Sequence, residues 1–360
     1  MEQLIQKIYS ILQDYRTDEK QPTLTVSPER IKLWVNQFNE NDRIFILNEL
    51  SGILQKRYCS KDGAREFVLH TIEKMTNDLK YPDVQSFLLN SVFLDLQPLG
   101  KSQKKILELI DEQIQKNYGM NLLDCGSIAP KHFIYVDDIL CTGNTLFQDI
   151  KEWAESNYIM NKTHLQAIEN NEIDIIFVYL FLHTKNYRKK RAEFKKKLST
   201  HIANKHRKYC LHEVDNSSDY NAVLDFVFPI DEVLSQIILD YKDKVIEEVD
   251  DYTISKAWKK VENDFFRTKG KPKKEVLFSS PENRIRFETI ILLKGIEILS
   301  NSNTKLKTIR ALGYSLPSQK NFGFGALCFT WRNVANNTPL VFWYRSSTFM
   351  PLFEKNQTNS

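Results

Sequence analysis

Two adjacent carboxylates, Asp137 and Asp138, stand at the end of a hydrophobic run in the segment HFIYVDDILCTGNTLFQDI, residues 132–150. The run is typical of a buried strand, and the residues after it are typical of a short turn and then a helix. Parallel α/β sheets bind ligands beyond the carboxyl ends of their strands, where these two acids would lie. Since carboxylates accept hydrogen bonds, we expect hydroxyl groups of a ligand as their donors.

The turn CTGNT supplies the other half of a receptor. The helix is predicted to begin near Thr145 or Leu146, and the free N–H groups and positive dipole end of its first turn form an anion site. Gly143 would let the backbone approach a phosphate closely, and Thr142 and Thr145 carry hydroxyl donors. A ribose 5-phosphate, with a phosphate at one end and vicinal hydroxyls in its middle, fits both halves. The alternative is an acid pair and a helix-capping turn without a ligand.

The stretch FIYVDDILCTGNT resembles the signature of type I phosphoribosyltransferases: a strand, two acids, two hydrophobic residues and Thr/Ser-Gly-x-Thr. The resemblance implies that Asp137 and Asp138 hold the ribose of phosphoribosyl pyrophosphate (PRPP) and are catalytic, stabilising an oxocarbenium-like transition state. Mg²⁺ would arrive with the pyrophosphate, held mostly by ligand oxygens and water. The implied ribose- and phosphate-binding residues are Asp137, Asp138, Cys141, Thr142, Gly143, Asn144 and Thr145. The sequence departs from the commonest pattern at Cys141, where Thr is frequent, and at Asn144, where Gly is frequent.

A second loop, in LDLQPLGKSQKKIL (residues 94–107), lies one strand–helix unit earlier, where type I enzymes bind pyrophosphate. There Gly100 would permit an unusual backbone conformation, Lys101 would supply a cation, and Ser102 would cap the next helix. We therefore predict pyrophosphate binding by Gly100, Lys101 and Ser102. The alternative is an ordinary solvated loop.

The C-terminal tail offers residues suited to an acceptor or a base. Asn336 and Asn337 carry amides that match a nucleobase edge, and Phe324 or Trp331 has a ring that could stack on it. The alternative is a structural turn with core aromatics.

A wider resemblance is carried by three stretches: the helical opening with WVNQF, the central motif and the tail ALGYSLPSQKNFGFGALCFTWRNVANNTPLVFW. Together they look like the phosphoribosyltransferase-like proteins of prokaryotic conflict systems (the PRTase-CE group), some encoded beside retron reverse transcriptases. That resemblance implies an antiviral defence role as a toxic effector.

Lysine and arginine concentrate in residues 185–208, KNYRKKRAEFKKKLSTHIANKHRK. The run is either a nucleic-acid-binding helix or the solvated face of a crossover helix. The nearby histidines and Cys210 match no common zinc-finger spacing, so no metal site is predicted.

Strand and helix patterns alternate through the middle of the chain, which predicts a doubly wound parallel α/β core of the type I phosphoribosyltransferase kind. We predict three regions: a helical region over 1–85, the α/β core over 86–250, and a mixed α+β region over 251–360. The last would contain a helix and a β-hairpin around the Asn-Asn-Thr-Pro turn, and it could form a hood over the acceptor. Another short strand is predicted in DFVFPI, residues 225–230.

Composition limits the protein class. The 360 residues carry a net charge of only +4, and their five cysteines include no CxxC pair, which favours reduced thiols. No stretch approaches the about 20 apolar residues of a membrane span, and the amphipathic N-terminus is unlike a signal peptide. We expect a cytoplasmic protein, as an oligomer or not, with PRPP or a nucleotide as ligand and a reverse transcriptase–nucleic acid complex or another defence subunit as a candidate partner.

Three functions stay open at this point. The first is a phosphoribosyltransferase or an enzyme that cleaves the glycosidic bond of a nucleotide. The second is a catalytically silent sensor of PRPP or nucleotides, since fold alone does not establish turnover. The third is an interaction subunit that holds nucleic acid.

Overall fold

The computed structural model describes residues 1–19, 21–159, 161–215, 223–232, 235–257, 262–302 and 307–355. The chain divides into two compact units. The first combines Met1–Ser60 with Ser218–Ser360, and the second is Lys61–Ser217. These bounds differ from the predicted regions.

Among the described residues, strands and helices alternate regularly along the second unit. Over the described residues the helices are α1 (Glu2–Leu12), α2 (Pro28–Asn36), α3 (Glu40–Arg57), α4 (Lys61–Asp78), α5 (Val84–Leu89), α6 (Ser102–Tyr118), α7 (Asn144–Glu155), α8 (His164–Glu169), α9 (Thr184–Lys197), α10 (Thr200–Lys205), α11 (Gln236–Ser255), α12 (Pro281–Ser300) and α13 (Leu340–Trp343). The strands are β1 (Tyr58–Cys59), β2 (Ser91–Leu94), β3 (His132–Leu140), β4 (Asn157–Ile159), β5 (Lys162–Thr163), β6 (Asp174–His183), β7 (Arg207–Val214), β8 (Ile309–Arg310), β9 (Gly313–Tyr314) and β10 (Phe329–Thr330).

The second unit is built on a four-stranded parallel sheet with the order β2-β3-β6-β7. Its two central strands, β3 and β6, are almost entirely buried, as near-continuous apolar runs in parallel sheets should be. The predicted α/β fold with a parallel sheet is confirmed. All four strands end at the same edge of the sheet, and α6, α7 and α9 follow β2, β3 and β6 there.

Helix α7 is fixed to the sheet by its apolar face. Phe147, Ile150 and Trp153 recur at helical spacing and share one buried cluster with Phe133 and Phe177 of the central strands. The rings of Phe133 and Trp153 lie 5.2 Å apart. Burial of this face sets the position of the α7 N-terminus relative to β3.

The first unit joins the two ends of the chain. Strand β1 pairs in parallel with β10, and Trp34, which is fully buried, donates from its Nε1 to the Val341 carbonyl oxygen at 2.7 Å. Its ring stacks on Phe342, with centroids 5.9 Å apart. Helices α1 to α3 therefore share their core with the C-terminal segment, while α4 packs on α6 of the second unit. These contacts explain why the unit boundary falls at residue 60.

Two local predictions for this unit were wrong. The turn at Asn336–Asn337 leads into the short helix α13, so no hairpin forms around it, whereas β8 and β9 form a hairpin among the described residues of this region. The segment 225–230 makes a single bridge, between Phe226 and Ala326, and forms no regular strand. No helix among the described residues is long and apolar enough to cross a membrane.

Replacing Ile150 with Ala tests the packing of α7. Ile150 is fully buried, and such truncations cost about 2–5 kcal/mol because they leave a cavity. We expect the midpoint of denaturant unfolding, followed by circular dichroism, to fall accordingly. Gln148→Ala, at an exposed position of the same helix, should change the unfolding free energy by less than about 0.5 kcal/mol. Equal midpoints for the two variants would contradict this packing.

Candidate ligand-binding site

The acid pair lies at the carboxyl end of β3, as predicted. Asp138 is 5% exposed and Asp137 is half-buried. The backbone N–H of Asp138 donates to Asp137 Oδ1 at 2.9 Å, and that of Ile139 donates to Asp138 Oδ1 at 2.7 Å. Asp137 is in register with Tyr179 of β6. Local backbone donors thus stabilise two carboxylates that would otherwise repel each other.

The loop between β2 and α6 and the first residue of α6 contact the same carboxylate. Ser102 Oγ donates to Asp137 Oδ1 at 2.9 Å, and Gln97 Nε2 donates to Asp137 Oδ2 at 3.1 Å. The structure therefore brings together the loop predicted to bind pyrophosphate and the acid predicted to bind ribose.

Gln97 extends this contact into a buried polar network. Its Nε2 also lies 2.9 Å from the hydroxyl of Tyr135 and 3.3 Å from Asp149 Oδ2. The Tyr135 hydroxyl in turn donates to Asp149 Oδ2 at 2.8 Å. Since Asp149 belongs to α7, the network links the β2–α6 loop, β3 and α7 around Asp137.

Gln103 holds the backbone of this loop. Its Oε1 accepts hydrogen bonds from the N–H groups of Leu96 and Gln97, both at 2.9 Å, and its Nε2 donates to the Val136 carbonyl oxygen at 3.0 Å. Gln103 is fully buried. A buried amide with all these partners fixes the loop to β3.

The turn CTGNT, which is predicted to bind phosphate, contains a residue with an unusual backbone conformation. Gly143 has φ 74° and is the N-cap of α7, which begins at Asn144, one residue before the predicted start. A Cβ at Gly143 would lie 2.6 Å from Lys190 Cγ. Both the positive φ and this close approach require glycine here. Thr142 Oγ1 accepts a long hydrogen bond, 3.4 Å, from the Asn144 N–H.

Helix α9 holds the loop from its other side. Asn186 Nδ2 donates to the Cys141 carbonyl oxygen at 2.6 Å, and Lys190 Nζ donates to Asn144 Oδ1 at 2.6 Å. Asn144 and Thr145 are exposed, so their polar groups can reach solvent. The start of α7 therefore has an exposed polar face with a lysine beside it.

A strand, an acid pair and a Gly-centred turn that begins a helix are thus all in place. A family model, PRTase-CE, matches residues 31–355. The chain belongs to the PRTase-CE family. No curated protein and no solved structure matches it.

The PRTase-CE chain departs from the sequence prediction at Ser102. Lys101 is the N-cap of α6 and makes no side-chain capping bond, so Ser102 does not cap the helix. Its hydroxyl donates to Asp137 instead. Gly100 has φ 88°, the unusual conformation that was predicted, and Lys101 is exposed. Binding of pyrophosphate by these three residues stays a prediction.

The candidate acceptor residues belong to the first unit. Phe324 is half-buried, and the exposed Asn336 accepts a hydrogen bond at its Oδ1 from Lys355 Nζ. Asn337 is 2% exposed, and its carbonyl oxygen accepts from the Ala326 N–H at 3.0 Å. A contact between these residues and a base stays a prediction.

Six side chains at the site escaped the sequence analysis: Gln97, Gln103, Tyr135, Asp149, Asn186 and Lys190. Each acts through a tertiary contact, so no short motif marks it. For Asn186 and Lys190 one signal was available. They lie in the first two turns after β6, and a helix that follows a neighbouring parallel strand begins at the edge where the acids lie.

The surroundings of the acid pair shift the pKa of Asp137. Burial of the carboxyl group and the neighbouring Asp138 charge raise the pKa of Asp137 well above its ordinary value, although hydrogen bonds from Asp138 N–H, Gln97 and Ser102 act in the opposite direction. Among the described residues, no group of three or more His, Cys, Asp or Glu side chains could hold a metal ion.

The raised pKa of Asp137 can be measured directly. In a titration of carboxyl-¹³C-labelled aspartate followed by NMR, we expect one Asp carboxyl to ionise well above the ordinary value of about 3.9. Asp138→Asn should lower that pKa, because it removes the neighbouring negative charge. A high-pKa resonance that does not move in Asp138→Asn, or one that persists in Asp137→Asn, would contradict the assignment.

Proposed function

We propose that this PRTase-CE protein binds PRPP, or the ribose 5-phosphate part of a nucleotide, at the carboxyl edge of its sheet. In the proposed reaction the bond from ribose C1′ to pyrophosphate or to the base breaks, that group leaves with the bonding electron pair, and an acceptor nucleophile or water forms the new bond at C1′. The proposed role is that of an antiviral defence effector. The observation that carries the proposal is the convergence at Asp137. Gln97 in the β2–α6 loop and Ser102 at the start of α6 donate to its carboxylate, and the turn that leads into α7 directly follows the strand that bears Asp137.

The two halves of the site suit the two halves of the ligand. Asp137 and Asp138 offer oxygens to ribose hydroxyls, while the α7 N-terminus offers N–H groups and a positive dipole to the 5′-phosphate. Carboxylates close to C1′ would stabilise the positive charge that develops as the bond breaks.

The carboxylates of this site suit Mg²⁺ as ligands, but they are too few to hold the ion by themselves. The site contains carboxylate oxygens, which are hard ligands, but the described residues form no cage of three or more metal ligands. Mg²⁺ would therefore be held mainly by the pyrophosphate of PRPP, and it would supply charge neutralisation there.

A silent sensor is the second candidate, and one observation favours it. Both oxygens of Asp137 already accept hydrogen bonds from Ser102 and Gln97, and its raised pKa reduces the negative charge near neutral pH. A ligand hydroxyl must share or displace these donors. Such a site could bind without turnover.

The double variant Asp137→Asn with Asp138→Asn tests the proposed function. Purified protein is incubated with PRPP, NAD and a nucleotide pool, and products are identified by mass spectrometry. We expect turnover to fall by at least about 100-fold, because the electrostatic stabilisation is lost. Glu155→Gln, at an exposed position of α7, is the control and should retain activity.

The outcomes separate the candidates. Saturable PRPP binding by calorimetry without any product would support the sensor. Normal PRPP binding and full activity of the double variant would show that the site is wrongly assigned. In a cell-based assay, toxicity that depends on the acid pair would support the effector role.

A further inference from the structure

Resting on the proposed function, we propose that Lys190 determines the specificity of the site for a dianionic phosphate. In this proposal the ammonium group is held ready at the start of α7 by Asn144 and Glu193. It turns to the ligand phosphate when that group binds. Lys190 is thus a binding residue contributed by α9, outside the loop that the sequence motif marks.

The position of Lys190 is set by close packing. A Cβ at Gly143 would lie 2.6 Å from Lys190 Cγ and 3.4 Å from its Cδ, so the aliphatic stem lies directly over the Gly143 backbone. The side chain is only 12% exposed. Its ammonium nitrogen reaches Asn144 Oδ1 at 2.6 Å. A cation is therefore fixed beside the first residue of α7.

The charge around Lys190 is arranged so that an anion can compete for it. Lys190 Nζ lies 2.7 Å from Glu193 Oε2, and Lys197 Nζ lies 2.6 Å from Glu193 Oε1. Burial tends to raise the pKa of Glu193, but these two lysines outweigh it, and the pKa is lowered. Glu193 is therefore ionised, and it can stay paired with Lys197 when Lys190 turns away.

Asn144 gains a role from this contact. The residue stands where the resembling enzymes commonly have glycine, and glycine would offer no side-chain acceptor to Lys190. The Asn144 amide oxygen keeps the ammonium at the loop before a ligand arrives. An incoming phosphate oxygen, which carries more negative charge, is the stronger acceptor for the same ammonium. A ligand with a singly charged group gains less from the exchange.

Calorimetry with two ligands of different charge tests the proposal. Ribose 5-phosphate and ribose 5-sulfate have the same sugar, but at pH 7.5 the phosphate is largely dianionic and the sulfate is a monoanion. Lys190→Met removes the ammonium and keeps most of the stem over Gly143. We expect it to weaken ribose 5-phosphate binding at least tenfold and to reduce the preference for phosphate over sulfate.

Two further variants supply the opposite sign and the control. Glu193→Gln removes the competing carboxylate, so it should tighten ribose 5-phosphate binding several-fold. Lys196→Met, at an exposed position of α9, makes the same charge change as Lys190→Met. It should alter the affinity for neither ribose 5-phosphate nor ribose 5-sulfate. Thermal melting of each variant checks the fold, and Glu193→Gln still decides the question if Lys190→Met proves unstable.

The results distinguish this proposal from the one on which it rests. Wild-type protein that binds neither PRPP nor ribose 5-phosphate would overturn the proposed function. The second case is a wild-type protein that binds both ligands as proposed. In that case an unchanged affinity and phosphate preference in Lys190→Met, or no tightening of ribose 5-phosphate binding in Glu193→Gln, would overturn only the role of Lys190.

Discussion

The hydrogen bonds to the carboxylate of Asp137 are the interaction on which the rest of the site depends. A carboxylate at the end of a buried strand is stable only when donors surround it. Here the donors are the Asp138 N–H, the Ser102 hydroxyl and the Gln97 amide. Because Gln97 lies in the loop before α6 and Ser102 is the first residue of α6, satisfying one carboxyl group also fixes a neighbouring loop.

The parallel sheet makes this convergence possible. β2, β3 and β6 end at one edge, so the helices that follow them begin there too. Each helix start then contributes a different group: a hydroxyl from α6, backbone N–H groups from α7, and an amide and an ammonium from α9. The apolar runs of β3 and β6 thus determine, through their burial, where polar groups more than 80 residues apart in sequence meet.

Sequence patterns predicted the local part of this arrangement well. Period and composition placed β3 and the start of α7 within about a residue or two, and the motif around Asp137 indicated the family. The patterns failed where a distant partner decides the outcome. Ser102 looked like a helix cap, but Asp137, which lies on another element, takes its hydroxyl.

Longer-range contacts set the rest of the fold. The prediction of a boundary at residue 85 took no account of the pairing of β1 with β10, two strands that lie far apart in the sequence. Periodicity along one segment carries no information about such a partner. The Asn-Asn-Thr-Pro turn was likewise a sound turn signal, but the burial of Leu340, Val341 and Phe342 favours a helical turn after it.

The two departures from the commonest phosphoribosyltransferase loop can now be understood from their contacts. At Cys141 it is the backbone carbonyl that accepts from Asn186, a bond that any residue at this position can make. At Asn144 the side chain binds Lys190, a cation that the loop itself lacks. Neither change alters Gly143, whose positive φ starts α7. The substitutions therefore leave the backbone of the loop intact, and the second one supplies an acceptor that holds the Lys190 ammonium beside the start of α7.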